Sequence, residues 1–166
     1  MSDGATGIRD VVVHPGAVGV IALDEQERVV MIRQYRHPVR SYLWEVPAGL
    51  KDVSGEPLIE TARRELLEEA GLVAQRWDRL LDLYASPGGS SEEVTIFLGR
   101  DLSVADRPAD FTLAAEELDL EVARVPLDDA VAAVRDGRIR NSLAVAGILA
   151  AVTARADDWH GLRPSG

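Results

Sequence analysis

Short hydrophobic runs separated by polar residues predict several β-strands along the chain. Apolar residues at 17–23 and 28–35 flank the polar turn 24–27, a pattern typical of a β-hairpin. Other apolar runs predict strands at residues 11–13, 44–49, 80–85, 94–99 and 120–125. The polar residues 101–112 predict a long loop before the last of these strands.

Three stretches have the pattern of helices. Residues 56–70 carry apolar side chains at intervals of three and four, at Ile59, Ala62, Leu66 and Ala70. Ser54 or Gly55 is suited to begin this helix, and Gly71 to end it. Helices are also predicted at 127–135 and at 141–156, where Asn141 or Ser142 is the N-cap. Strands around a central acidic helix, with further helices on the other side, predict an α/β fold, an α/β/α sandwich with a central mixed β-sheet.

Length and composition indicate one globular domain. The chain has 166 residues, of which 46% are hydrophobic, enough for a sizeable core. We expect the domain to span residues 11–156, between a flexible N-terminal segment, 1–10, and an irregular C-terminal tail, 157–166.

The charge balance narrows the expected partners and location. Eighteen basic and 28 acidic residues give a net charge of −10, which argues against nucleic acid and anionic membranes as partners. Cysteine is absent, which excludes disulfides, thiolate catalysis and cysteine-ligated zinc. The first ten residues lack the apolar core of a signal peptide, so a cytoplasmic protein is expected.

Negative charge is concentrated in the predicted helix 56–70. Its five acids are Glu56, Glu60, Glu65, Glu68 and Glu69. Like charges four residues apart on a helix repel, so something positive must lie among them. One explanation is internal pairing with Arg63 and Arg64, and the other is a divalent cation such as Mg²⁺, which prefers carboxylate oxygens.

The spacing of these acids resembles the signature of the Nudix hydrolases, GX5EX7REUXEEXGU, in which U is aliphatic. Every specified position from Glu56 to Leu72 matches, while six residues instead of five separate Gly49 from Glu56. The resemblance implies the Nudix fold and metal-dependent hydrolysis of a nucleoside diphosphate linked to another group. It also implies ligands for Mg²⁺, or alternatively Mn²⁺: Glu65, Glu69 and the carbonyl of Ala48, with Glu68 and Glu56 in or near the site. Arg64 is then expected to orient the glutamates.

Residues outside the signature resemble the ADP-ribose pyrophosphatase branch. Arg33, Arg36 and Arg40 form a basic cluster that suits a diphosphate, although pairing with surface acids explains any one of them equally well. Within the cluster, Gln34-Tyr35-Arg36 resembles a QxR sequence that places its arginine at the substrate. The W-E-x-P-A-G sequence at 44–49 and a proline 16 residues after Gly71 resemble the same branch.

This second resemblance implies hydrolysis of ADP-ribose to AMP and ribose 5-phosphate. The residues expected at the substrate are Arg36, Trp44, Pro87 and Gly88. A glutamate in a loop is the expected general base, and Glu117 fits best, with Glu116 second. Glu92 and Glu93 are expected to be exposed to solvent.

Three alternatives remain open. Enzymes of this branch usually carry an additional N-terminal β portion, used in dimer exchange and adenine contacts, whereas about 16 residues precede the first hairpin here. A sugar nucleotide or nucleoside triphosphate is therefore an alternative substrate. A domain that senses a nucleotide without cleaving it is another, and a purely structural acidic module a third. A homodimer is expected by resemblance.

Overall fold

The computed structural model describes residues 6–107 and 120–165. Within these ranges the strands are β1 (Ala17–Ala22), β2 (Arg28–Arg36), β3 (Ser41–Glu45), β4 (Ala48–Leu50), β5 (Leu72–Tyr84), β6 (Glu93–Val104), β7 (Glu121–Pro126) and β8 (Arg163–Pro164). The helices are α1 (Leu58–Ala70), α2 (Leu127–Arg135) and α3 (Ser142–Ala156), and a short 3-10 turn spans His37–Val39. None of the described helices is long and apolar enough to cross a membrane.

The strands form two sheets, with β1 in one and β2 in the other. One sheet has the order β4-β1-β6-β5-β8, with β1 and β6 parallel, and the other has the order β3-β2-β7. The predicted hairpin is therefore wrong, because beyond the turn only Leu23 and Val29 form a bridge between the two runs. All six residues of β1 are buried. A strand buried on both faces pairs at the centre of a sheet, and β1 lies between β4 and β6.

Helices cover both faces of the larger sheet. On one face, Val18 and Val20 of β1 pack with Ala62 and Leu66 of α1. On the other, Ile21 belongs to the cluster that contains Ala144 and Ile148 of α3. Alternate residues of β1 thus face opposite helices. The α/β/α sandwich with a central mixed sheet is confirmed.

Several element boundaries differ from the prediction. The predicted strand 80–85 corresponds to the C-terminal part of the longer strand β5, and the predicted strand 94–99 to the N-terminal part of β6. Residues 101–104 therefore belong to a strand and not to a loop. The predicted strand 44–49 is split into β3 and β4 by Val46 and Pro47. Residues 11–13 contribute only a bridge from Val12 to Ser90. The C-terminal tail, predicted to be irregular, contains β8, which pairs with β5.

Candidate active site

Helix α1 presents its acids beside the edge strand β4. It begins after Pro57, whose extended backbone (ψ 140°) excludes residues 56 and 57 from the helix. It ends at Gly71, whose left-handed φ of 64° favours glycine, as predicted. Because Ala62 and Leu66 are buried against β1, the position of the acidic side is fixed relative to the sheet.

Arg64 lies among three of the glutamates. Its Nη1 donates to Glu65 Oε1 at 2.7 Å and to Glu68 Oε2 at 3.1 Å, and its Nη2 is 3.7 Å from Glu56 Oε2. Burial by itself would lower the pKa of Arg64, but the neighbouring carboxylates outweigh it and raise that pKa above its ordinary value. Arg64 therefore stays charged and holds the three carboxylates in one group.

The backbone of β4 lies directly against two carboxylates of α1. The N–H of Ala48 donates to Glu69 Oε2 at 2.8 Å, and Glu69 is only 5% exposed. A Cβ atom at Gly49 would overlap the carboxylate of Glu65. Glycine at this position is what allows the Glu65 carboxylate to lie against the strand.

The carboxylate oxygens of α1 suit a hard divalent cation, although in this structure they form hydrogen bonds to protein groups. Among the described residues, no three acidic, histidine or cysteine side chains form a group that could hold a metal ion as they stand. Glu65 and Glu68 face Arg64, and Glu69 faces the N–H of Ala48. Several carboxylates beside the half-buried backbone of β4 are nevertheless the ligand type that Mg²⁺ and Mn²⁺ prefer, so the residues present fit such an ion.

The C-terminal end of α1 is tied to the end of β6 by a residue that the sequence did not reveal. Arg107 donates from Nε to the carbonyl of Glu68 at 2.7 Å and from Nη2 to that of Glu69 at 3.0 Å. The N–H of Ala105 donates to the carbonyl of Gly71 at 3.1 Å. These bonds satisfy helix carbonyls that have no partner inside the helix. A bond to a backbone carbonyl requires no particular residue type in the partner, so no sequence motif marks Arg107.

Arg36 and Glu45 form a forked ion pair at the C-terminal ends of β2 and β3. Arg36 Nε donates to Glu45 Oε1 at 3.0 Å, and Nη2 donates to Oε2 at 2.8 Å. The side chain of Glu45 is 3% exposed and that of Arg36 is 40% exposed. Such a fork fixes the plane of the guanidinium. The exposed part of Arg36 is thereby held in a defined orientation.

One pocket joins this ion pair to β4. It has a volume of about 490 Å³, and Arg36, Glu45, Ala48 and Gly49 all line it. Glu92, which was expected to be exposed, is half-buried and also lines the pocket, whereas Glu93 is exposed as expected. The pocket is thus bounded by a guanidinium on one side and by the backbone of β4 on the other, and the α1 glutamates are not among its lining residues.

Other residues predicted at the substrate lie elsewhere. Trp44 lines a different pocket, because successive residues of β3 point to opposite faces of the sheet. Pro87 and Gly88 belong to a turn whose next residue, Gly89, accepts a hydrogen bond from Val12, and they are not among the residues that line the Arg36 pocket. Glu116 and Glu117 lie outside the described residues.

Comparisons with known proteins gave matches in sequence and in structure. The NUDIX domain model matches residues 13–144. The chain is 44% identical to an ADP-ribose pyrophosphatase of Mycobacterium tuberculosis, over 90% of this chain and 71% of the relative. It is 34% identical to an ADP-ribose pyrophosphatase of Bacillus subtilis, over 84% of this chain and 73% of the relative. A crystal structure of an ADP compounds hydrolase superposes with a TM-score of 0.73 at 25% identity, covering 86% of this chain and 74% of that one.

Proposed function

The chain belongs to the NUDIX domain family, and from that premise we propose that it is a pyrophosphohydrolase that cleaves ADP-ribose to AMP and ribose 5-phosphate. The observation that carries the proposal is the pocket in which Arg36 faces the β4 backbone beside the acidic helix. A guanidinium that shares a pocket with β4, the strand that contacts the Glu65 and Glu69 carboxylates, suits a diphosphate that is bound together with a divalent cation. The names of the two relatives supply the substrate.

We propose that the cation is Mg²⁺, with Mn²⁺ as the alternative, and that α1 and β4 hold it. The proposed ligands are Glu65, Glu69 and the Ala48 carbonyl, with Glu68 and Glu56 in or near the site. Arg64, already bonded to Glu65 and Glu68, orients these carboxylates. When bound, the cation would neutralise diphosphate charge and lower the pKa of a bound water.

Arg36 binds and orients the diphosphate in this proposal. Its fork to the buried Glu45 keeps the guanidinium in one plane, so that binding the substrate does not require ordering a flexible side chain. The same fork offsets part of the positive charge of Arg36. Because the plane of the guanidinium is fixed, Arg36 selects a diphosphate by the position of its oxygens as well as by its negative charge.

A carboxylate must remove the proton of the attacking water. We propose Glu117 for this role, with Glu116 as the second candidate, and neither belongs to the described residues. Replacing each by glutamine in turn and measuring kcat across pH identifies the base, because only the true base should remove the acidic limb of the profile.

The activity is tested by measuring AMP formation from ADP-ribose, with Mg²⁺, with Mn²⁺ and with a chelator. Glu69→Gln should lower kcat by about 100-fold or more, since it removes a proposed ligand. Glu60→Gln is the matched control, because Glu60 is on the same helix but pairs with Arg63 on its exposed side. If no nucleotide diphosphate is turned over, the proposal that the chain is an enzyme is contradicted. If sugar nucleotides are turned over but ADP-ribose is not, only the proposed substrate is contradicted.

The assembly and location of the protein belong to the same proposal. We propose a homodimer in the cytoplasm, with no nucleic acid and no membrane as partners. The net charge of −10 supports the last two points, because it disfavours polyanionic surfaces. Sedimentation of the purified chain tests the dimer, and a single monomeric species at micromolar concentration would contradict it.

A further inference from the structure

Strand β3 separates the Arg36 pocket from a second pocket on the opposite face of the smaller sheet. Trp44 pairs with Arg33 across β2 and β3, and Tyr42 pairs with Tyr35, so these side chains share one face. Glu45 and Arg36 lie on the other face, where they line the first pocket. The two pockets are therefore distinct, and residues of the second do not reach the proposed reaction site through β3.

The second pocket has the size and lining of a small-molecule site. Its volume is about 460 Å³, within the range of roughly 300–1,000 Å³ that is usual for ligand pockets. The rings of Tyr42 and Trp44 form one wall, while Met31, Val125 and Ile139 add aliphatic surface. We define this cavity as the Trp44 pocket.

Two arginines bring positive charge to the Trp44 pocket. The guanidinium carbon of Arg33 lies 5.1 Å from the centre of the Tyr42 ring and 5.9 Å from that of Trp44. Arg138 also lines the pocket. A guanidinium held against aromatic rings is a platform on which planar rings stack and to which oxyanions bind.

In the part of the chain that the structure describes, the acidic partners of both arginines are exposed. Arg33 is 3.4 Å from Glu121, and the two side chains are 43% and 58% exposed. Arg138 is 3.1 Å from Asp136, and these side chains are 64% and 62% exposed. Exposed ion pairs contribute little to stability, so an oxyanion with better geometry can displace the carboxylates at small cost.

We propose that the Trp44 pocket binds a nucleoside monophosphate, with the base against the Tyr42 and Trp44 rings and the phosphate at Arg33 and Arg138. The combination of an aromatic wall with guanidinium groups matches a ligand that has a planar ring at one end and a dianionic oxyanion at the other. This site goes beyond the proposed reaction, since it lies on the other face of β3. Binding there requires no turnover.

The test is calorimetric titration of the full chain with AMP in the presence of a chelator. The Arg36→Gln substitution removes binding at the first pocket. In this background AMP should still bind, at the Trp44 pocket, with a stoichiometry of one per chain. Arg33→Gln or Arg138→Gln in that background should weaken binding roughly tenfold or more, because each removes a charge-assisted contact. Glu121→Gln should strengthen binding, since it releases Arg33 from its acidic partner.

Two controls separate the site from general charge effects. Arg135→Gln, an exposed arginine on the same helix end that does not line the pocket, should leave AMP binding unchanged. Ribose 5-phosphate, which lacks the base, should bind far more weakly than AMP, and Tyr42→Leu should reduce the difference between the two. Circular dichroism of each variant verifies that it is folded.

Three outcomes would overturn the proposal. The first is absence of AMP binding in the Arg36→Gln background. The second is binding that Arg33→Gln and Arg138→Gln leave unchanged. The third is dissociation of a dimer by Arg33→Gln, without AMP binding in any variant, which would assign this face to a second copy of the chain.

Discussion

At the scale of single residues, Gly49 determines how close β4 comes to the acidic helix. Its missing side chain leaves the space that the Glu65 carboxylate occupies, and the neighbouring residue Ala48 bonds to Glu69. The matching glycine of the Nudix signature therefore has a physical role in this chain. A methyl group there competes with a carboxylate for the same volume.

Gly49→Ala should reduce activity much more than stability. The methyl group displaces Glu65, and small displacements of a reacting constellation cost roughly 10–100-fold in kcat. The free energy of unfolding should change by about 1 kcal/mol or less, because alanine also restricts the unfolded chain. Gly89→Ala, which has open space around its Cβ, is the matched control in kinetic and urea-unfolding assays. Unchanged kcat in Gly49→Ala would show that Glu65 is not needed at this place.

For the pair of Arg36 and Glu45, we expect that a second substitution restores stability without restoring activity. Arg36→Met leaves the buried Glu45 without its cation, which should lower the free energy of unfolding by about 3 kcal/mol. The double variant Arg36→Met/Glu45→Leu should regain most of this stability but not the activity. Urea unfolding and the KM for ADP-ribose measure the two effects. A double variant as unstable as the single one would contradict the burial argument.

At the scale of elements, α1 depends on a contact from outside its own sequence. Arg107→Gln removes the bonds to the carbonyls of Glu68 and Glu69, and should cost about 1 kcal/mol of stability. It should also weaken Mn²⁺ binding without substrate, since the last turn of α1 carries two proposed ligands. Arg107→Lys should recover part of both effects, and Arg63→Gln, on the exposed side of α1, should change neither. Titration with Mn²⁺ and urea unfolding measure the two effects, and equal Mn²⁺ affinity in all three variants would contradict this role.

The elements that the sequence predicted well are those whose boundaries have a local cause. Gly71 ends α1 in a left-handed conformation, and the Asn141 side chain accepts from the N–H of Ala144 at the start of α3. Strand β5 was mostly missed because its charged residues resemble a polar loop. In the structure these charges are paired across the sheet, for example Asp78 with Arg100 at 2.7 Å. Such pairing depends on residues far away in the sequence.

The candidate site could likewise be predicted only where its residues are close together in the sequence. The acids of α1 could be identified because their helical spacing is written in consecutive residues. The two faces of β3 were not distinguished, since the resemblance named both Trp44 and Arg36 without giving the register of β2 with β3. Alternation along a strand separates them, but only once the strand boundaries are known.

At the scale of the whole molecule, Asp24 joins the two sheets electrostatically. It lies in the turn between β1 and β2, accepts from Arg28 at 2.8 Å and from Arg124 of β7 at 3.2 Å, and its side chain is 6% exposed. Burial by itself would raise the pKa of Asp24, but these hydrogen bonds outweigh it and place that pKa below the usual 3.8.

The lowered pKa of Asp24 gives a pH dependence of definite sign. A carboxyl with a depressed native pKa stabilises the fold above its unfolded pKa, and this contribution is lost as pH falls through the native value. Asp24→Asn should therefore lower the free energy of unfolding by about 1–2 kcal/mol at pH 7, and the difference should shrink below about pH 4. Urea midpoints at pH 7, 4.5 and 3 measure this, with Glu25→Gln in the same turn as control. A constant difference across this range would contradict the assignment.

The parallel pairing of β1 with β6 has a consequence for how the chain is synthesised. Ala17 pairs with Val94, 77 positions later, so β1 emerges from the ribosome long before its parallel neighbour exists. Until β6 emerges, an apolar strand that is fully buried in the finished protein lacks one of its two partner strands and has only β4 paired with it in the sheet that the structure describes. Late pairing of distant strands slows folding and exposes edges that aggregate. A nascent chain that stops before Glu93 would already carry the whole acidic helix, but it would lack the strand that completes the sheet beneath it.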